Sequence, residues 1–173
     1  MQDHITKAYF SYLKLAIPVV SIVLFSTLFS VIFSFPYSAL IPGYIIIISY
    51  YWLIYQPILV PRLFLFISGI FFDSLMDNPL GLSSLILIIT WLVVVIQRDI
   101  IRIFNFYYGW CLLFIILLIS FIISSVVYFV FFGVFPEIQY MLINLLTMWA
   151  SYVLIHPLLE LLEKPLIINY GSR

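Results

Sequence analysis

One cysteine, Cys111, stands in 173 residues, and a lone thiol excludes an internal disulfide framework. Charge is scarce: seven Lys plus Arg and seven Asp plus Glu make up 8% of the chain, against 66% hydrophobic residues. So little polar surface cannot coat a water-soluble globule, and the chain reads as an integral membrane protein. Its charges cancel, which leaves no basic stripe for nucleic acid. No P-loop, zinc-ligand spacing or Gly-rich dinucleotide turn occurs, so soluble-enzyme readings have no footing. Also missing is the alternating apolar and polar period of a membrane β-barrel. Leu, Ile, Phe and Val instead run in long stretches, which predicts helical spans.

Six spans are expected, at about 13–33, 44–55, 63–76, 80–96, 107–132 and 140–159, within one integral membrane domain covering 1–173. The first is longer than a signal core and no small-x-small cleavage site follows it, so it reads as retained. It carries Pro18 and a stripe of Ser26, Ser30 and Ser34, suited to close helix packing. A turn with Pro36 and Pro42 leads to the second span, which ends in Tyr50, Tyr51, Trp52 and Tyr55. Such a cluster reads as a belt at the membrane interface, or as a partner contact through Tyr51 and Trp52. Ser120 and Ser124 mark a small-residue face on the fifth span, which leads through a turn with Pro136 to the sixth. Asn144, Thr147 and Ser151 form a polar stripe on the sixth, expected to face other helices. His156-Pro157 predicts a kink near its end, with His156 an interfacial or capping residue, and Glu160, Glu163, Lys164 and Arg173 read as a polar tail.

The stretch 63–102 concentrates the unusual chemistry. Two full crossings need about 40 residues. Since 63–96 supplies 34, the third and fourth spans are expected to form a short, kinked or partly re-entrant hairpin. Its tip, Asp77-Asn78-Pro79-Leu80-Gly81, has turn composition, with Asp77 or Asn78 available to cap the helix starting near Leu80. Asp73 and Asp77 are four residues apart, which on a continuous helix places both carboxylates on one face about 6 Å apart. A same-helix pair interrupted by Asn78-Pro79 converges poorly on a substrate or a shared proton, so catalysis is not expected. A carboxylate within a span needs compensation. Asp73 is therefore either an internal latch to a neighbouring helix or backbone amides, or a contact to a partner or ligand. The candidate contact residues are Asp73, Asp77, Pro79, Gly81, Tyr51 and Trp52.

All seven basic residues fall in alternate segments: Lys7 and Lys14 at the start, Arg62 before the third span, Arg98 and Arg102 after the fourth, and Lys164 and Arg173 at the end. By the positive-inside rule both termini and these connections are expected on the cytoplasmic side.

Tyr50-Tyr51-Trp52-x-x-Tyr55-x-Pro57-x-Leu59-x-Pro61, then Gly69-x-x-x-Asp73, then Asn78-Pro79-Leu80-Gly81-Leu82, then Gln97-Arg98 resembles the bacterial rod shape-determining family MreD. The likeness covers about 44–102. In that family the tip usually reads small-Gly-small-Pro-Leu-Gly; here Met76-Asp77-Asn78 replaces the small and Gly residues, and Gln56 stands where Arg is common. The resemblance implies a multi-pass protein of the bacterial inner membrane, without catalytic activity or cofactor. Its implied partners are MreC, the MreB filament, the peptidoglycan glycosyltransferase and transpeptidase of the elongation complex, and the lipid bilayer, with no nucleic acid. It also implies an all-α fold like the six-helix substrate-binding subunits of vitamin importers.

Two functions are thus expected. One is a scaffold of the rod complex that couples MreB and MreC to peptidoglycan synthesis and maintains cell shape. The alternative is a small-molecule-binding subunit of a membrane transporter, with a pocket lined by Asp73, Tyr128 and Asn144.

Overall fold

The computed structural model describes residues 16–30, 43–133, 135 and 137–167, with the side chains at 98–99, 101–105 and 164–167 excepted. Lys7, Lys14, Ser34, Pro36, Pro42, Pro136, Arg173 and the side chains of Arg98, Arg102 and Lys164 lie outside the described residues. The described chain is all-helical: α1 (Ala16–Ser30), α2 (Gly43–Tyr55), a 3-10 turn (Pro57–Leu59), α3 (Arg62–Leu75), α4 (Leu82–Phe132) and α5 (Ile138–Ile167).

α2 is the axis of the bundle. Every residue from Gly43 to Ile54 is buried, as expected of a helix that is apolar on all sides. It has 13 residues, and at 1.5 Å per residue it is about 20 Å long, shorter than a bilayer core. The cluster Tyr50, Tyr51 and Trp52 therefore points inward, each ring 0% exposed. This corrects the interface-belt reading: the phenol and indole polar tips find acceptors on other helices, so nothing drives them outward.

α3 and the first part of α4 form an antiparallel hairpin in which Arg62 meets Trp91, Gly69 meets Ser84 and Asp73 meets Gly81. The crossing at Gly69 is backbone on backbone: a Cβ there would stand 2.5 Å from both Cα and N of Ser84. The Ser84 hydroxyl donates to the Phe66 carbonyl at 2.8 Å, adding a polar tie to this approach.

α4 is helical over 51 residues, yet it cannot be a straight rod. Leu82 to Tyr128 would span about 70 Å along one axis, whereas Tyr128 hydrogen-bonds Asn78 at 2.7 Å beside the helix start. The helical path therefore reverses between its two apolar parts, Leu82–Gln97 and Phe106–Phe132. The second part packs antiparallel on α5. Trp110 and Trp149 stack at 4.1 Å, and each indole N–H donates to the other's carbonyl, at 3.1 and 3.0 Å.

α5 runs through Pro157 to Ile167, past the expected end of the sixth span at 159. On it Met141, Leu145, Met148, Tyr152, Ile155 and Leu159 form the buried stripe. Asn144 is buried beside that stripe, while Thr147 and Ser151 sit at its margin and donate to their own helix's carbonyls. Ser120 and Ser124 both face the core. Two stretches, Phe106–Phe132 and Ile138–Glu163, are long and apolar enough to cross a membrane.

Candidate functional site

α3 ends at Leu75 with Met76 as C-cap, and the next residue, Asp77, has φ +53°. The Asn78 N–H returns to the Asp73 carbonyl at 3.1 Å, closing a Schellman-type turn with Asp77 in the left-handed position that glycine usually takes. A short polar side chain is among the few that tolerate that conformation. Pro79 follows, unable to continue the helix, and its carbonyl accepts from the Leu82 N–H at 3.1 Å. Gly81, at φ +95°, then starts α4. No neighbour lies within 4 Å of a Cβ built there, so its requirement for glycine is conformational, not steric.

This geometry separates the two carboxylates. Asp73 is on the last turn of α3 and 0% exposed, whereas Asp77 lies beyond the helix and faces outward. They do not share a helix face, because the turn intervenes. Nor does Asp77 or Asn78 cap α4. That task falls to Asp73, whose Oδ2 accepts from the Gly81 N–H at 2.9 Å and whose two oxygens share the Ser83 N–H at 3.1 Å each. A buried carboxylate carries a desolvation cost, which charge-assisted bonds to these amides and the positive end of α4 offset. The last turn of one helix thereby closes the first turn of the next.

Asn78 is 6% exposed and accepts the Tyr128 hydroxyl on Oδ1, which ties the tip to the far end of α4. Its Nδ2 has no acceptor among the described residues. Of the three side chains expected to line a transporter pocket, Asp73 is thus engaged by backbone amides and Tyr128 by Asn78.

The second constellation lies around the C-terminal part of α2. Tyr51 donates to Glu163 Oε2 at 2.8 Å and Gln56 Nε2 donates to Oε1 at 3.0 Å. Tyr55 meets His156 Nε2 at 3.2 Å, and Trp52 Nε1 donates to Ser21 Oγ at 2.7 Å. Tyr50 donates to the Gly109 carbonyl at 2.7 Å. His156 is ringed edge-on by Tyr51, Tyr55, Phe106 and Tyr152. It lies within α5 among aromatics and does not cap a helix; Pro157 follows without ending the helix.

Glu163, read from sequence as part of a polar tail, is 5% exposed and bonded to two neutral donors. The missed signal is periodic: Glu163 stands four residues after Leu159 and eight after Ile155, on the continuation of the apolar stripe of α5. Tyr51 and Trp52 are both sealed in this cluster, whereas the exposed tip presents Asp77 and Leu80. Among the described residues no three His, Cys, Asp or Glu side chains converge as metal ligands.

Set against family models, curated proteins and solved structures, the chain matches none.

Proposed function

We propose that the protein is a non-catalytic, multi-pass scaffold of the bacterial inner membrane that couples the MreB filament and MreC to peptidoglycan synthesis in the rod complex. The observation that carries this reading is the construction of the hairpin tip. The residues that bear the resemblance to the MreD family, Gly69, Asp73, Asn78, Pro79 and Gly81, are those that set helix approach, helix end and helix start there. The Asp73 carboxylate and Asn78 Oδ1 are engaged within the chain, which pre-shapes the tip, and preorganisation of that kind is what a docking element requires. In the proposed arrangement six segments cross the bilayer, the termini lie on the cytoplasmic side with Arg62, and the tip faces outward. The importer-like fold belongs to the same proposal.

Depletion of the protein should turn rods into spheres. Unchanged rods, in cells where the other elongation proteins are present and needed, would refute the scaffold reading. A vitamin-sized ligand retained through purification would favour the solute-binding subunit instead.

A further inference from the structure

Between the 3-10 turn and the fourth helix lies a crevice of about 340 Å³, lined by Pro57, Ile58 and Pro61 on one side and Trp91 and Val95 on the other, with Arg62 among them. The Arg62 guanidinium carbon sits 4.1 Å from the Trp91 ring centroid. Stacking on an indole fixes the plane of a guanidinium while leaving its N–H edges free for the two oxygens of a phosphate. Among the described residues no carboxylate pairs with Arg62. The residue also opens α3, whose N-terminal dipole adds potential of the same sign.

The surroundings are apolar and outward-facing. Ile58 is 92% exposed, Leu63 70% and Ile96 67%, and Phe66, Ile67 and Leu92 continue the apolar strip along the hairpin. A cation with no carboxylate partner among the described residues, at one end of an apolar strip, is complementary to an anionic amphiphile. We propose that this crevice binds an anionic phospholipid, its phosphate on Arg62 and an acyl chain along α3 and the first part of α4. The stacked guanidinium distinguishes the site from a loosely basic surface, because Trp91 holds the cation against the crevice instead of letting it range through the headgroups.

The test is native mass spectrometry of the full-length protein, titrated with phosphatidylglycerol or with phosphatidylcholine of identical chains. The wild type should retain phosphatidylglycerol in preference by about five-fold, the effect of one well-placed basic residue at an anionic surface. Arg62→Gln should bring the two lipids to parity, Trp91→Leu should reduce the preference, and Arg62→Lys should keep part of it. Gel-filtration position confirms that each variant is folded. Equal retention of both lipids by the wild type would overturn the proposal, as would undiminished preference in Arg62→Gln. Displacement of the lipid by millimolar inorganic phosphate would also overturn it, by assigning the crevice to a soluble anion.

Discussion

Replacing Asp73 with leucine removes the acceptor for two backbone amides at once. The Gly81 and Ser83 N–H groups, now bonded to the carboxylate at 2.9 and 3.1 Å, would lose it at a helix start where Ser83 is buried and Gly81 half-buried. An unsatisfied buried amide costs about 1–3 kcal/mol and a half-buried one less, so Asp73→Leu should destabilise the protein by about 2–5 kcal/mol. Asp73→Asn keeps one carbonyl oxygen where Oδ2 now sits, able to serve both amides; it forfeits the charge assistance and sets its Nδ2 donor against the Ser83 N–H where Oδ1 now accepts. Charge-assisted bonds exceed neutral ones by about 1 kcal/mol each, and the misplaced donor adds a smaller penalty, which gives a loss of about 2 kcal/mol. The two variants should therefore rank wild type, Asn, Leu in equilibrium unfolding in mixed micelles and in steady-state abundance. The assay is decisive because the competing reading predicts another pattern. If Asp73 served a partner through its charge, both variants would fold as well as the wild type and fail equally to co-purify with MreC. A leucine variant within about 0.5 kcal/mol of wild type, the scatter of changes at an indifferent site, would refute the latch.

Two further outcomes follow from the same contacts. Gly69→Ala puts a Cβ 2.5 Å from the Ser84 backbone, where no flexible side chain can yield, so the hairpin must open, at a cost of about 1–3 kcal/mol; unfolding measurements that find it neutral would contradict the close crossing. Gln56→Arg sets a guanidinium beside the Glu163 carboxylate, whose hydrogen-bond donors among the described residues are the neutral Tyr51 and Gln56, and should stabilise by about 1 kcal/mol. A double-mutant cycle with Glu163→Gln should abolish that gain, and a gain that survives it would show that the Arg acts elsewhere.

Composition alone made the all-helical class legible: Leu, Ile, Phe and Val run in long stretches without the alternating period of strands, and helices satisfy backbone hydrogen bonds locally. The punctuation at the hairpin tip was equally local, since Pro79 and Gly81 constrain the backbone whatever surrounds them. Which neighbour each polar group meets was a tertiary matter. Tyr51 and Glu163 are 112 residues apart, and neither has a local pattern that names the other. An aromatic cluster with polar tips suits a membrane interface and a polar core equally well, and only the carboxylate of α5 and the serine of α1 turned Tyr51 and Trp52 inward. The pairing of Asp73 and Asp77 failed for a related reason: four-residue spacing implies a shared face only while the helix continues, and it stops at Leu75. Asp73 itself could be read as a buried carboxylate needing donors. That the donors are the amides of Gly81 and Ser83 was decided by the hairpin crossing at Gly69, where the absence of a side chain lets α3 and α4 approach closely enough for one helix end to cap the other's start.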